Sequence, residues 1–344
     1  MAYTTIDDPT IHFNTKLYTG TGSSNAVTGV GFQPDWVWIK NRSTTGNHAL
    51  FDVINGVTKY VNSNTNYGLQ TSAPTVTSFD SDGFTVGSSA DLNGSGNSIA
   101  SWNWLAGGSA SSNSNGSITS SVSANTTAGF SIVRFSGTGS LGTVGHGLGA
   151  VPDVLFFKRL DTTGAWASYH KPLGATKYMR LDSTSAQITA SDEFNDTEPT
   201  STVFTVATDG GVNASGTDNM LVYCMTEIKG YSKFGSYTGN GDVDGTFVYT
   251  GFRPAWVMTK ESSGTGHWRI RDNKRFDQAN PIDKVLYANA STTETDEDNT
   301  DFLSNGFKLR TTGGENNGSG DTYIYLAFAE SPFVNSSGIP CNAR

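Results

Sequence analysis

The sequence predicts an all-β protein made of three tandem β-sandwich or jelly-roll-like modules, and three observations support this prediction. Glycine, serine, threonine and asparagine are abundant, with 40 glycines in 344 residues, as is typical of short strands joined by polar turns. No stretch keeps the apolar period of an amphipathic helix. Four sequence landmarks recur in the same order three times, which is the signature of a repeat protein. Charged residues are 15% of the chain and aromatic residues 11%, a balance that argues against disorder.

Each repeat begins with a strand end in which two glycines flank one residue. The three copies are Tyr18-Thr19-Gly20-Thr21-Gly22, Phe135-Ser136-Gly137-Thr138-Gly139 and Tyr237-Thr238-Gly239-Asn240-Gly241. A glycine-rich loop can hold a phosphate when a helix begins directly after it. No helical pattern follows these glycines, so we interpret them as turns.

The second landmark is a proline that precedes an apolar run ending in lysine six residues later. The pairs are Pro34 and Lys40, Pro152 and Lys158, and Pro254 and Lys260. Proline has no amide hydrogen to donate, so it is suited to the start of a strand. The run that follows does not alternate strictly, which predicts a strand buried on both faces.

The third landmark is a Thr-Lys-Tyr segment 24 residues after the proline, kept in the first two repeats as 58–60 and 176–178 and loosely echoed in the third as 284–287. The fourth is an asparagine-led turn before a final apolar strand. Its copies are Asn93-Gly94-Ser95-Gly96, Asn213-Ala214-Ser215-Gly216 and Asn317-Gly318-Ser319-Gly320. Asn-Gly favours the left-handed turn of a β-hairpin, so a hairpin is expected there.

These landmarks place the boundaries of the chain's parts. We expect an N-terminal docking arm over 1–13, modules over 14–107, 126–230 and 231–333, a flexible Ser/Asn/Gly linker over 108–125, and a C-terminal tail over 334–344. A three-bladed propeller is the architectural alternative, although propellers typically have four or more blades.

Charge and composition weigh against several classes of function. The net charge is −9 and the 22 lysines and arginines are scattered, so no nucleic-acid partner is expected. No apolar run is long enough to predict membrane insertion, and the first residues lack the pattern of a signal peptide. We therefore expect synthesis in a cytoplasm. Cys224 and Cys341 are too few and too far apart to predict a disulfide framework or a zinc site, and Cys224 is expected to be a buried thiol.

Tryptophans are the candidate binding residues. Trp36 and Trp38 lie two apart in the repeated apolar run, so they share one face of a strand and are expected to pack in a core. Trp166 and Trp268 lie in less regular segments and are the better candidates for exposed rings. An aromatic ring can stack on the apolar face of a sugar, so these two residues are the predicted glycan-binding positions.

Histidines and carboxylates give weaker signals. His48, His170 and His267 follow their prolines at loosely matching distances, which allows one imidazole in each module, but no nucleophile or carboxylate lies at a comparable position beside them. Carboxylates cluster over 192–198 and 294–298, and paired carboxylates could serve a glycosidase or a calcium site. The second cluster lacks the spacing of a calcium loop, and a solvated loop is the preferred interpretation. No catalytic residue, cofactor site or metal site is predicted.

The first repeat resembles modules found in virion proteins of tailed phages, especially marine phages and cyanophages. The matching segments are Ile6-Asp7-Asp8-Pro9, Tyr18-Thr19-Gly20, Gly31-Phe32-Gln33-Pro34-Asp35-Trp36-Val37-Trp38-Ile39-Lys40-Asn41-Arg42-Ser43, Leu50-Phe51-Asp52 and Thr58-Lys59-Tyr60. The third repeat keeps 251–257 of this pattern, and the second departs furthest, at 151–154. The resemblance implies a lectin-like β-sandwich on a phage particle, as a tail fibre, another tail appendage or a capsid decoration.

The leading functional hypothesis is therefore a non-enzymatic structural and adhesion protein of a virion, with other virion proteins as partners and the arm over 1–13 docking it on the particle. A second hypothesis is a receptor-binding protein that recognises bacterial surface glycans. A third is a polysaccharide depolymerase, which would require two carboxylates across a groove. The sequence leaves open a homotrimer or a monomer in which three modules form a pseudo-symmetric unit.

Overall fold

A computed structural model describes residues 3–216, 218–276 and 280–341 of the chain. Antiparallel strands dominate these residues, so the all-β prediction is confirmed. The helical elements of the described residues are short: two 3-10 turns, Pro9–Ile11 and Lys171–Leu173, and three four-residue helices, α1 (Ala90–Asn93), α2 (Gly210–Asn213) and α3 (Gly314–Asn317).

The first repeat contains nine strands. They are β1 (Phe13–Thr19), β2 (Asn25–Thr28), β3 (Trp36–Asn41), β4 (Ala49–Asp52), β5 (Lys59–Tyr60), β6 (Gln70–Thr71), β7 (Val76–Asp80), β8 (Gly83–Val86) and β9 (Ser98–Trp104). They form a four-stranded sheet in the order β1-β9-β3-β4, a three-stranded sheet in the order β2-β8-β7, and the β5-β6 hairpin.

The second repeat is preceded by two additional strands that join its sheet. The strands are β10 (Ser111–Asn113), β11 (Ser120–Asn125), β12 (Phe130–Ser136), β13 (Gly142–Gly145), β14 (Val154–Arg159), β15 (Ala167–His170), β16 (Lys177–Tyr178), β17 (Ile188–Thr189), β18 (Val203–Val206) and β19 (Asn219–Met225). The main sheet has the order β10-β11-β12-β19-β14-β15, and β13-β18 and β16-β17 form two smaller sheets.

The third repeat forms one sheet of eight strands that wraps into a nearly closed barrel. The strands are β20 (Ser232–Thr238), β21 (Phe247–Tyr249), β22 (Phe252–Glu261), β23 (Arg269–Asp272), β24 (Ile282–Tyr287), β25 (Thr295–Leu303), β26 (Gly306–Leu309) and β27 (Thr322–Pro332). Their order is β20-β27-β22-β23-β24-β25-β26-β21, so β24 and β25 join what are separate sheets in the other two repeats.

One strand order recurs in all three repeats. The first strand pairs with the last, the last with the strand after the proline, and that strand with the next, as in β1-β9-β3-β4, β12-β19-β14-β15 and β20-β27-β22-β23. The register also matches, because Trp36 lies opposite Trp104 as Trp256 lies opposite Phe328. The sequence repeat therefore corresponds to a repeated sheet.

The strand that carries each repeated apolar run is buried on both faces, as the run predicts, and in the third repeat this strand includes Pro254 itself. Trp36 and Trp38 point into a core shared by all three repeats, whereas Val37 and Ile39 point into a core that belongs to the first repeat. The second repeat divides its side chains in the same way, with Phe156 in the shared core and Phe157 in its own core. Each main sheet is thus a wall between a local core and a central one.

The central core is a cluster of aromatic rings from the three repeats. The ring centroid of Trp36 lies 4.4 Å from that of Trp104 in its own repeat and 4.4 Å from that of Tyr223 in the second repeat. Trp104 in turn lies 5.8 Å from Trp256 and 5.6 Å from Phe328 of the third repeat. Aromatic side chains bury large apolar areas, so this cluster supplies much of the attraction between the repeats.

The predicted flexible linker over 108–125 contains strand instead. One edge of β11 (Ser120–Asn125) pairs along its length with β12, and the other edge of β11 pairs with β10 (Ser111–Asn113). Small polar residues suggested flexibility, but their backbone groups can still complete a ladder at the edge of an existing sheet. Ile118 also bridges to Val144, so this segment covers the edge of β13.

The described part of the predicted docking arm packs against its own chain. Ile6 is buried in the central core, and the hydroxyl of Tyr3 donates a hydrogen bond to the carbonyl of Gly251 at 2.8 Å. Asp7 accepts two hydrogen bonds from Ser336, which ties the arm to the C-terminal tail. The described residues of the predicted docking arm, 3–13, are therefore packed against the repeats and the tail. Residues 1, 2 and 342–344 lie outside the described residues.

The asparagine-led landmark is a helix end rather than a hairpin turn. Asn93, Asn213 and Asn317 each end one of the short helices, and all three side chains are buried. Asn93 Oδ1 accepts the amide of Thr21 at 2.9 Å, and its Nδ2 donates to the carbonyls of Ser23 and Gly87. Asn213 and Asn317 make the corresponding bonds. The asparagine side chain therefore holds the Gly-x-Gly loop.

Close approach explains the first glycine of each Gly-x-Gly loop. A Cβ at Gly20, Gly137 or Gly239 would collide with the carbonyl oxygen of the residue after the asparagine. The second glycine has a positive φ, as at Gly22 (+73°). Each loop leads to a strand rather than to a helix, and its two glycines are required for different reasons.

Candidate functional site

Hydrogen bonds join the three repeats in a ring around the central core. His48, Trp166 and Trp268 each lie fourteen residues after the repeated proline of their own repeat. Trp166 Nε1 donates to the carbonyl of Asn62 and Trp268 Nε1 to the carbonyl of Arg180, each at 2.9 Å, and His48 Nε2 lies 2.9 Å from the carbonyl of Tyr287. The second repeat thus contacts the first, the third contacts the second, and the first contacts the third.

The strand register shows that the three acceptors are equivalent residues. Val61, Met179 and Leu286 pair with strand residues that each lie sixteen positions after the proline. The acceptors Asn62, Arg180 and Tyr287 follow directly. The ring is therefore one contact made three times, with a histidine replacing tryptophan once.

The structure corrects the prediction for Trp166 and Trp268. Trp166 is 0% exposed and Trp268 is 1% exposed, so neither ring can stack on a sugar at the surface. Their segments look irregular in the sequence because they change from a loop to a strand at the contact with a neighbouring repeat. Both rings are interface residues of the central core.

The three histidines do not occupy equivalent positions in the repeats. The rings of His48 and His170 are buried and contact backbone carbonyls of the third repeat, whereas the ring of His267 stacks on Tyr287 with the centroids 4.3 Å apart. They stand 14, 18 and 13 residues after their prolines, so they are not equivalent positions. No common imidazole site results from them.

The repeated lysines are buried structural residues. Lys40, Lys158 and Lys260 are each 0% exposed, and each ammonium donates to a backbone carbonyl, either of the last residue of its strand (Asn41, Glu261) or of the loop after it (Gly164). Burial lowers the pKa of all three to about 8, with nearby carboxylates acting in the opposite direction.

In the carboxylate cluster over 192–198, Asp192 and Glu193 are not placed as the pair that a glycosidase requires. Glu193 is buried, and burial together with a hydrogen bond to Asp192 raises its pKa to about 7. Hydrogen-bonded neighbours are too close to flank a glycosidic bond, for which the carboxyl groups lie roughly 5–9.5 Å apart. In the second cluster, Glu294 pairs with Arg42 and Arg275. Among the described residues, no group of three or more histidines, cysteines or carboxylates could hold a metal ion.

A pocket of about 120 Å³ in the first repeat contains the side chains best suited to bind a ligand. We call it pocket A. It lies between the β5-β6 hairpin, the loop before β4 and the start of α1. Its lining residues are Asn47, Ala49, Tyr60, Asn62, Tyr67, Gln70, Thr75, Ser89, Asp91 and Leu92.

Pocket A combines aromatic rings with polar groups that are open to a ligand. Tyr67 is 51% exposed, and Asp91 is exposed beside it in the lining. Burial and the charge of Asp91 raise the pKa of the Tyr60 phenol. Among the hydrogen bonds of the described residues, the amide of Gln70 donates to Gly68, and none involves the Tyr67 phenol or the Asp91 carboxylate. These two groups are therefore available to an incoming molecule.

Equivalent positions in the second repeat line another small pocket, of about 140 Å³, which we call pocket B. Tyr178, Arg180 and Gly211 stand there in place of Tyr60, Asn62 and Asp91. Arg159 also lines it and forms an ion pair with Asp218. A wider groove of about 520 Å³ along β10 to β12 has five serines among its twelve lining residues.

A family model covers most of the chain. It matches residues 8–332, which include all three repeats. The chain belongs to the DUF7483 family. That family is described as a domain of unknown function, so membership assigns no activity and no site. No curated protein and no solved structure matches the chain. None of the described helices is long and apolar enough to cross a membrane.

The pocket A residues were not predicted from the sequence, although part of their signal is visible there. Tyr60 belongs to the Thr-Lys-Tyr landmark, and Tyr67 stands in a run of asparagine, threonine and tyrosine at 62–67. Asp91 lies in α1, near the end of the first repeat, and the sequence offers no reason to place it beside Tyr67. Only the folding of α1 against the hairpin brings them together.

Proposed function

We propose that this protein is a non-enzymatic adhesion protein of a tailed-phage virion, built as three tandem β-sandwich or jelly-roll-like modules that present a glycan-binding pocket. The observation that carries adhesion is pocket A, where the half-exposed ring of Tyr67 meets amide groups and one carboxylate. Aromatic rings with adjacent hydrogen-bonding side chains suit the alternating apolar and hydroxyl-bearing surfaces of a sugar.

Two further features support this proposal. The recurring strand order and the separate local cores support three modules, and the ring of contacts between them supports a rigid body. The virion location rests on the phage resemblance of 31–43 and neighbouring segments. Tail fibre, tail appendage and capsid decoration are equally compatible with it.

A non-enzymatic role is supported by the carboxylates. Asp91 is the one carboxylate that lines pocket A, whereas hydrolysis of a glycosidic bond usually requires two. In the other acidic clusters, Glu193 is buried beside Asp192, and Glu294 is paired with Arg42 and Arg275.

A panel of immobilised bacterial surface polysaccharides tests the proposal. The purified chain is passed over each polymer, and both retention and new reducing ends are measured. We expect saturable retention on some polymers without new reducing ends. Release of reducing ends would instead favour a depolymerase, and the absence of both effects would leave a coat or decoration role. Mass spectrometry of purified phage particles that encode the chain tests the location, with the chain expected among their proteins.

A further inference from the structure

The three repeats place different side chains at the position of pocket A, and this difference bears on how many ligands one chain binds. The positions correspond through the strand register, since Lys59 pairs with Thr71 as Lys177 pairs with Thr189 and Lys284 with Asp296. Residues at the same distance along the chain from these pairs therefore occupy equivalent positions.

In the second repeat, the ligand-binding groups of pocket A are replaced. Ser185 stands at the position of Tyr67, and Ile188 at the position of Gln70. Gly211 replaces Asp91, which removes the carboxylate. The remaining tyrosine of pocket B, Tyr178, is 7% exposed. Pocket B keeps a carboxylate, that of Asp209, but its Oδ1 already accepts the amide of Gly211, and no exposed aromatic ring lines the pocket.

In the third repeat, charged side chains pair across the equivalent space. Arg269 stands where the first repeat has Ala49, and Glu315 stands where it has Asp91. Arg269 Nη2 donates to Glu315 Oε2 at 2.9 Å and also pairs with Glu297. His267, at the position of Asn47, stacks on Tyr287. The groups that would contact a ligand are bonded to one another.

The chemistry of pocket A selects among sugars. Its volume of about 120 Å³ is below the roughly 300–1,000 Å³ of sites for drug-sized ligands, so it accepts one ring rather than a chain. Asp91 can accept hydrogen bonds from hydroxyl groups but repels a carboxylate, and the protein's net charge of −9 adds to this repulsion. An uncharged ring fits these constraints.

We propose that each chain has one glycan site, pocket A, which binds a neutral hexopyranose as a terminal or branching residue of a glycan. The ring of Tyr67 stacks on the sugar, and the carboxylate of Asp91 accepts hydrogen bonds from the sugar hydroxyl groups. This inference rests on the proposed adhesion function. It predicts one ligand per chain, although the fold offers three equivalent positions.

The test compares variants on the polysaccharides that retain the wild-type chain. Tyr67→Ala is expected to weaken retention at least tenfold, and Asp91→Asn to weaken it less. The matched control is Tyr249→Ala, which removes a tyrosine of similar exposure (52%) from the third repeat and should retain wild-type binding. Circular dichroism and thermal unfolding of each variant check that the fold is kept, as expected for side chains outside the cores.

Stoichiometry and charge selectivity complete the test. Neutral oligosaccharides released by mild acid from a retained polymer are titrated into the chain by calorimetry and native mass spectrometry, and one per chain is expected. Polymers made only of uronic acids should not be retained. Two or three equal sites, or undiminished retention of Tyr67→Ala, would overturn the assignment to pocket A while adhesion stands. If no polymer retains the wild-type chain, adhesion and the pocket assignment both fail.

Discussion

The indole Nε1 of Trp166 donates a hydrogen bond to the backbone carbonyl of Asn62 at 2.9 Å, and so joins the second repeat to the first. Because the bond is buried, removing its donor leaves a carbonyl without a partner away from water. We expect Trp166→Phe to lower the free energy of unfolding by about 2–4 kcal/mol, from the lost bond and the cavity together. Urea unfolding measures this change.

Tyr67→Phe is the control for that substitution, since it removes a polar atom from a half-exposed ring. It should change stability by less than about 0.5 kcal/mol, as surface substitutions do. A Trp166→Phe variant as stable as Tyr67→Phe would show that the ring of contacts contributes little.

The shared aromatic core predicts that one repeat cannot keep its native surface alone. A fragment of residues 1–107 would expose Trp36 and Trp104, whose rings contact the other repeats in the full chain. Large exposed apolar patches favour association and loss of packing. We expect the fragment to bind a hydrophobic dye and to unfold without a sharp transition, whereas the full chain unfolds cooperatively. A monomeric, cooperatively unfolding fragment would contradict the role of the central core.

The structure of the Gly-x-Gly loop predicts that the cost in stability of replacing a glycine with alanine depends strongly on which glycine is replaced. Gly20→Ala places a Cβ against the carbonyl of Gly94, and we expect a cost of about 1–3 kcal/mol because the backbone must move. Gly314→Ala is the matched control, because nothing lies within 4 Å of the added atom. It should be neutral or stabilise by about 0.4–1 kcal/mol. Thermal unfolding of both variants distinguishes them, and equal stability would be evidence against the close approach.

The buried lysines predict a pH dependence of stability. Burial lowers the pKa of Lys158 to about 8, below its ordinary value of 10.5, so between these values the unfolded chain binds more protons than the folded chain. The penalty for burying the charge is therefore fully present below pH 8 and is lost progressively between pH 8 and 10.5. The slope is up to about 1.4 kcal/mol per pH unit for each such lysine.

The lysine contribution is isolated by comparing the wild-type chain with Lys158→Met between pH 7.5 and 9.5. The wild-type chain should gain stability relative to the variant across this range. The buried thiol of Cys224 acts in the opposite direction, since burial raises its pKa, but it is common to both proteins and cancels in the difference. Parallel stability curves in urea would show that Lys158 does not titrate in this window.

The N-terminal arm was predicted from the sequence to dock the protein on a particle, and its packing indicates that it also stabilises the fold. Deleting residues 1–8 removes Ile6 from the central core, and burial of an isoleucine is worth about 1.5–3 kcal/mol. Ser336→Ala, which removes one exposed partner of Asp7, is the control and should cost less than about 0.5 kcal/mol. A truncated chain with wild-type stability would show that the packing of Ile6 contributes little to the stability of the fold.

The sequence by itself determined the all-β class, the three repeats and the strand that is buried on both faces. Each of these follows from local rules: proline at a strand entry, an apolar run without alternation, and glycines where the chain turns. Trp36 and Trp38 were correctly assigned to a core because residues two apart on a strand share a face.

The tertiary structure alone decided which tryptophans are buried between repeats and which residues form pocket A. Trp166 and Trp268 stand in loop-like segments, and their burial depends on a neighbouring repeat that no local pattern specifies. Tyr67 and Asp91 are separated by 24 positions and meet because α1 folds back beside the β5-β6 hairpin. Contacts between distant segments depend on how sheets pack against one another, and the period of side chains along one strand does not contain that information.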